Sequence, residues 1–193
     1  TLPSIISGVK LRRGELDIQL LLSSNIDLIK KLKETELDAI IVALNDATSG
    51  QEFEHLPMFE EEIFLAFHKD SKYVGYDEID LSQLKDETFL TLAKGFATRS
   101  DSDIVFEKAN IDPKVFLQVS DIFTLISMVN SGVGFALLPG RISSIYESSV
   151  KLIRLKREYQ IKQEIGLVFL KSKERDPNLL ALIAECRMFT RNV

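Results

Sequence analysis

Apolar positions along the chain recur with two different periods, and the switches between them lay out the elements. Residues 15–22, ELDIQLLL, are apolar and strand-like. Ile26, Ile29 and Leu32 then recur at helical spacing, with Lys30, Lys31 and Lys33 off the stripe. Ser23, Ser24 and Asn25 stand just before them, and such short polar side chains accept hydrogen bonds from a helix's first N–H groups. A helix is predicted to start there. Residues 37–44, LDAIIVAL, are nearly continuously apolar over a strand's length, which suits a parallel strand covered on both faces. Strand, helix and strand in that order predict a βαβ unit with a right-handed crossover.

Beyond a polar loop at 45–54, residues 61–69 (EEIFLAFHK) read as a strand. Residues 79–87 read as a short helical turn leading into a strand at 88–93. Residues 94–103 (KGFATRSDSD) read as a loop that hands over to a helix at 103–110, broken by IDP. A strand at 115–120 precedes a helix at 121–131 that carries Ile122, Leu125, Ile126 and Val129 on one face. The helix ends in SGVGFALLP. Gly132 falls where a helix must turn left-handed, Gly134 lets the backbone pass close to a neighbour, and Pro139 cannot continue a ladder. A short helix at 142–147, strands at 150–155 and 164–171, and an amphipathic helix at 177–189 opening on Pro177 complete the pattern. Strands near 63–67 and 165–169 are the candidate crossings between two lobes. One lobe would comprise residues 1–67 and 166–193, the other 68–165.

Composition narrows the function classes. The 193 residues are 45% hydrophobic and 27% charged, ordinary for a globular chain able to bury a core without staples. Lys and Arg number 24 against 29 Asp and Glu, a net charge of −5, and the short basic runs form no stripe. Direct gripping of a nucleic-acid backbone is therefore not expected of these residues. The single cysteine, Cys186, rules out an intrachain disulfide and fits a reduced, cytoplasmic setting; it lies on the apolar stripe of the last helix and reads as a small buried hydrophobe. No apolar run reaches membrane-spanning length, and the first residues do not read as a signal peptide. His55 and His68 lack the clustered partners of a metal site, and Glu60, Glu61 and Glu62 read as a solvated strand edge. SGVGFALLP follows a helix instead of opening one, which is the wrong order for a dinucleotide loop.

Several stretches together resemble the effector-sensing domain of LysR-type transcriptional regulators. They are LPSII, the run DIQLLLSSNIDLIKKLKETELDAIIV, LPMFEEEIFLAFHKDSKY, IDLSQLKDETFL and ISMVNSGVGFALLP. Gly132, Gly134 and Pro139 match that family's helix-to-strand corner, and the resemblance covers essentially the whole chain. It implies an α/β fold of two Rossmann-like lobes joined by two crossover strands, of the periplasmic-binding-protein type II kind, with a small-molecule site in the interlobe cleft. The family's N-terminal winged helix-turn-helix, and the first strand and loop of the sensing domain, are not found in this sequence. DNA would be reached only through that absent domain. The resemblance further implies a homodimer or tetramer, no cofactor and no catalysis.

Candidate ligand contacts come from three loops. Ser23, Ser24 and Asn25 place small donors at a helix start, where N–H groups favour an anion, although capping alone would choose the same residue types. Lys94, Gly95, Phe96, Thr98 and Arg99 offer close backbone approach, an aromatic face and donors, with arginine suited to a carboxylate. Ser120 is the expected cap of the following helix, and Phe123 is either a ligand contact or a core residue. The expected ligand is a small anion, of carboxylate type. The alternative of a different class is a solute-binding protein of a transport system, which shares the fold. No metal site, no membrane and no catalytic residue is expected.

Overall fold

The computed structural model describes residues 2–143 and 150–191. Two compact units emerge, one formed by Thr1–Glu60 with Gln163–Val193 and the other by Glu61–Lys162. The chain passes between them within one long strand, β2 (Phe53–His68), and at the start of another, β8 (Lys162–Leu170). The sequence pattern places these divisions at 67/68 and 165/166.

In the first unit, β1 (Ala39–Ala43) pairs antiparallel with β8, from Ala39 opposite Phe169 to Ala43 opposite Ile165. Strand alternation sends successive residues to opposite faces. Ile40, Val42, Val168 and Leu170 join Leu28 and Leu32 of α2 (Asn25–Lys33). Leu167 and Phe169 face the other way and meet Ile5 of α1 (Leu2–Arg12) and Leu179, Ile183 and Cys186 of α5 (Pro177–Thr190). The sheet is thus covered on both faces. Pro177 opens α5 as expected, and Asp176 caps it by accepting from Asn178 and Leu179 N–H.

Two expectations fail in this unit. Residues 16–24 are irregular, and no ladder forms there among the described residues; Ile18, Leu20, Leu21 and Leu22 are exposed. An apolar run becomes a strand only when a neighbour takes its N–H and C=O groups, and none does so here. The βαβ unit over 15–44 is accordingly not formed, and β1 is antiparallel. On α2 the buried pair is Leu28 and Leu32, whereas Ile26 is 69% exposed. Three-residue steps from 26 to 32 drift around the helix, while a four-residue step stays on one face.

The second unit holds β3 (Glu78–Ile79), β4 (Thr88–Leu92), α3 (Ala97–Lys108), β5 (Lys114–Val119), α4 (Ile122–Asn130), β6 (Ala136–Pro139) and β7 (Val150–Leu155). The second half of β2 lies between β6 and β7, antiparallel to both; β3 joins β7 in parallel, and β5 joins β4 in parallel. A parallel bridge from Phe89 to Phe135 links β4 to the chain entering β6. The order is therefore β5–β4–β6–β2–β7–β3. Ile63, Leu65, Phe67 and Phe89 pack with Val105 and Phe106 of α3 on one face. Ala66, Leu90, Leu92, Ala136 and Leu138 pack with Leu125, Ile126 and Val129 of α4 on the other.

The SGVGFALLP corner forms as read. Gly132 takes φ +73° and donates to Val129 O, while Val133 N–H reaches back to Met128 O, the paired bonds that close a helix on a left-handed residue. A side-chain carbon on Gly134 would stand 2.6 Å from Thr88 O, so only glycine lets this backbone pass β4. At the sheet's far edge Asp80 accepts from Lys156 Nζ at 2.8 Å and from the Tyr159 hydroxyl at 3.2 Å, tying the turn after β3 to the turn after β7. These bonds, led by Lys156, hold the Asp80 carboxyl well below the ordinary carboxylate range.

Other boundaries move. Helix α3 begins at Ala97, not 103, because Ser102, Val105 and Phe106 already set its buried face while Ser100 and Asp103 of the polar run face solvent. The expected helix at 142–147 lies, beyond Ser143, outside the described residues.

Candidate functional site

Parallel strands β4, β5 and β6 all point their carboxyl ends the same way, and helices α3 and α4 begin at that edge of the second unit's sheet. Such an edge gathers loops and helix N-termini with unmet N–H groups, which is why open sheets bind ligands there. Phe96 and Ile122, at the starts of α3 and α4, and Ile142, just past β6, pack into one apolar cluster. Their neighbours are thereby brought to one rim: Lys94 and Gly95, Ser120 and Asp121, and Arg141. The antiparallel β2 enters the unit at the same rim with Glu61.

The two helix starts differ in chemistry. At α4 the cap is Asp121, which accepts from Thr124 N–H at 2.8 Å, not the exposed Ser120. Its carboxyl, held low by those bonds, already supplies the negative charge a helix N-terminus favours. At α3 the cap position is Phe96, which offers no side-chain acceptor. Among the described residues nothing accepts from Ala97 or Thr98 N–H, because the first bonds run from Arg99 and Ser100 N–H to Phe96 O. Gly95, at φ +99°, makes the turn into this helix, and Lys94 beside it is exposed.

Arg99 is placed differently from its sequence reading. It lies within the first turn of α3, its Nε donates to both Asp103 oxygens at 2.8 and 3.0 Å, and Nη1 reaches Leu92 O at 3.3 Å. Its side chain is 14% exposed. This arginine braces the helix start against β4. Phe96 is partly buried in the cluster, and Phe123 is exposed, outside the core.

In the first unit, Ser24 caps α2 by accepting from Asp27 N–H, and Ser23 Oγ donates to Asp27 Oδ2 at 2.7 Å. Both serines thus serve the helix start. Asn25 is different: its Nδ2 is buried and meets no acceptor among the described residues. A buried amide donor left unmet costs stability, so this group is the unit's clearest invitation to a ligand acceptor.

Sequence reasoning missed two carboxylates at the rim of the second unit. Asp101, one turn into α3, has a buried Oδ2 with no partner among the described residues, and burial pushes its carboxyl up to about 7. Nothing in the polar run TRSDSD distinguishes it from Asp103. Glu61, expected in solvent, is 8% exposed and accepts from Arg141 N–H at 3.0 Å, with Arg141 Nε 3.3 Å from its other oxygen. Alternation along β2 was the available signal, since Glu61 shares parity with the buried Ile63 and Leu65.

A cavity of about 260 Å³ lies at the opposite edge of the same sheet, lined by Phe67, His68, Asp70, Ser71, Gly132, Gly134 and Phe135. It carries none of the expected contacts and neither lysine nor arginine. Among the described residues there is no group of three or more His, Cys, Asp or Glu able to hold a metal ion, and no helix long and apolar enough to cross a membrane.

Comparison with known proteins agrees with this architecture. A malonate utilization transcriptional regulator of Klebsiella pneumoniae is 42% identical over 194 residues, all of this chain and 63% of that protein, so the chain spans somewhat under two thirds of its curated relative. The effector binding domain of QuiR in complex with shikimate superposes with a TM-score of 0.83 at 21% identity, covering 100% of this chain and 91% of that one. The regulatory domain of Synechocystis PCC6803 CcmR in complex with 2-PG gives 0.88 at 17% identity, covering 100% and 92%. At such identities the likeness establishes the fold, of the type II periplasmic-binding-protein kind. The LysR substrate binding domain family matches residues 1–190, and the chain belongs to that family of transcriptional-regulator effector domains.

Proposed function

We propose that this domain senses a small carboxylate and that occupancy controls DNA binding by a winged helix-turn-helix carried elsewhere in the protein, which works as a homo-oligomer in the cytoplasm without catalysing a reaction. The observation that carries the reading is the start of α3. Of the helix starts at α2, α3, α4 and α5, it alone has no side-chain cap, and it has Lys94 beside it. Uncapped N–H groups next to a cation suit an anionic ligand. Within the first unit, Asn25 Nδ2 is a buried donor that meets no acceptor among the described residues. The relative named for malonate utilization, and the fold neighbour that holds shikimate, a carboxylic acid, support the ligand class. Family membership favours a regulator over a transporter's solute-binding protein. Signalling further requires that the ligand bind two arrangements of the protein with different affinity.

The test is thermal shift of the full-length protein with malonate, shikimate and the neutral diamide malonamide. Malonate or shikimate should raise Tm while malonamide does not. Lys94→Ala and Asn25→Ala should each shrink the shift, and Arg99→Ala should lower the basal Tm and leave the shift intact. Equal stabilisation by the diamide, or no shift from either acid, defeats the carboxylate reading.

A further inference from the structure

We propose that Gln163 is a second binding residue of the first unit, donating its side-chain amide N–H to an oxygen of the effector alongside Asn25. This deepens the reading above and rests on it.

Alternation along β8 puts Gln163 on the same face as Ile165, Leu167 and Phe169, while Lys162 and Glu164 on either side of it are exposed. Leu167 and Phe169 carry the contacts to α1 and α5, so this is the inward face, and Gln163 is only 9% exposed there. Leucine or methionine would fill such a position at no polar cost. An amide is costly, because a buried donor gives up its water and needs an acceptor in exchange.

Among the described residues, the other buried polar side chains have such partners. Thr48 bonds back to Asn45, Thr91 donates to Leu92 O, and Ser102 donates to Thr98 O. Glu61 accepts from Arg141 N–H, and Glu185 forms an ion pair with Arg12. Gln163 is the exception. Its Nε2 is enclosed and meets no acceptor among the described residues. Native interiors rarely leave such a group unmet, and an acceptor arriving with a ligand explains one that does.

Position ties this donor to the candidate site. Helix α2 ends at Lys33 and β1 begins at Ala39, so the two run in opposite directions, with Leu28 and Leu32 packed on Ile40 and Val42. The start of α2 therefore returns to the carboxyl end of β1. Strand β8 is antiparallel to β1, and Leu44 N–H donates to Glu164 O at 2.8 Å, which brings Gln163 to that same end. Asn25 and Gln163, two buried amides whose nitrogens lack acceptors among the described residues, thus stand at one edge of one sheet, one from each face. Both are neutral donors, suited to the oxygens of a carboxylate or a hydroxyl.

The experiment is isothermal titration of the full-length protein with malonate at pH 6 and pH 8, with thermal melts of the unliganded protein alongside. It compares wild type with Gln163→Met, Gln163→Glu and, as an exposed control, Gln51→Met. Gln163→Met keeps the length of the side chain and removes the donor. It should melt no lower than wild type and bind malonate roughly tenfold more weakly or worse, the loss expected of one hydrogen bond to a charged oxygen. A residue that merely supported the fold would show the opposite, a lower melt with affinity intact. Gln163→Glu puts an acid where the donor stood and should weaken binding more at pH 8 than at pH 6, each against wild type at the same pH. Gln51→Met should bind as wild type does. Wild-type affinity in a folded Gln163→Met overturns the role of Gln163 alone and leaves the carboxylate reading standing. Should Gln163→Met fail to fold by circular dichroism, Gln163→Glu decides, and wild-type affinity in that variant at pH 8 overturns the assignment. Absence of malonate and shikimate binding by the wild-type protein overturns both this assignment and the carboxylate reading.

Discussion

Replacing Asp101 with asparagine isolates the cost of one buried carboxylate. Its Oδ2 is enclosed without a partner among the described residues, and burial raises the carboxyl to about 7. In the unfolded chain the same group titrates near the ordinary value of about 4. Below that value both states hold the proton, and the group does not affect stability. Between about 4 and 7 the unfolded chain is ionised while the folded chain retains its proton, so stability falls as pH rises; above 7 both are ionised and the penalty stays constant. A shift of about three units corresponds to ~4 kcal/mol for a fully enclosed group. Residual solvent contact of the side chain screens it, and about half that value, ~2 kcal/mol, is the reasonable expectation. Asparagine keeps the shape and removes the titration. Urea denaturation of wild type and Asp101→Asn from pH 4.5 to 8.5 measures the difference directly. The variant should gain on wild type by ~2 kcal/mol across that range, with the change complete by about pH 8. A difference independent of pH, or one that moves in wild type's favour as pH rises, refutes the assignment of a buried, unpaired acid.

Three further outcomes follow from geometry. Gly134→Ala places a methyl group 2.6 Å from Thr88 O, a main-chain atom that cannot move aside, and should cost about 1–3 kcal/mol in urea denaturation; an unaltered midpoint would show that β4 and the SGVGFALLP corner are less closely apposed. The Cys186 thiol is fully buried and pushed up to about 11 by burial, first, and by Glu185, so a thiol-specific chromogenic disulfide should label it slowly in the folded protein and rapidly in urea, while fast labelling of folded protein would contradict its burial. Asp80 is held low by Lys156 and Ser82, so its contribution is present above the ordinary carboxylate pKa and lost as pH falls through the acid range. Asp80→Asn should therefore be less stable than wild type at pH 7 and approach it under pH 3, as read by thermal melts; a constant gap would show that the bonds do not depend on the charge.

Legibility of the fold followed the range of the forces involved. The alternation of Ile63, Leu65 and Phe67, the stripe of Leu125, Ile126 and Val129, and the glycine stop at Gly132 are local patterns, and each becomes the predicted element. Residues 15–22 carried an equally good apolar pattern and formed no strand, because a ladder needs a partner and the pattern does not state who it is. Helix α3 starts six residues before the point the sequence pattern predicts, since its first turn is polar and only its packing against β4 and β6 reveals the inward face.

The candidate site divides along the same line. Residue types at 23–25 announced a helix cap, and Ser24 is one; that Asn25 Nδ2 is enclosed with no acceptor among the described residues depends on how the whole unit packs. Sequence alone determined the family, the α/β class, the order of the longer strands and helices of the second unit from β4 to β6, though not β3, and the loops worth inspecting, because these rest on local periodicity and on motifs carried by neighbouring residues. Tertiary structure alone decided that Arg99 is spent on Asp103, that Asp101 Oδ2 is buried with no partner among the described residues, and that Glu61 lies beneath Arg141 eighty positions away in the chain. Burial and charge pairing are properties of groups brought together by folding, and a linear string of residues does not contain the distances that set them.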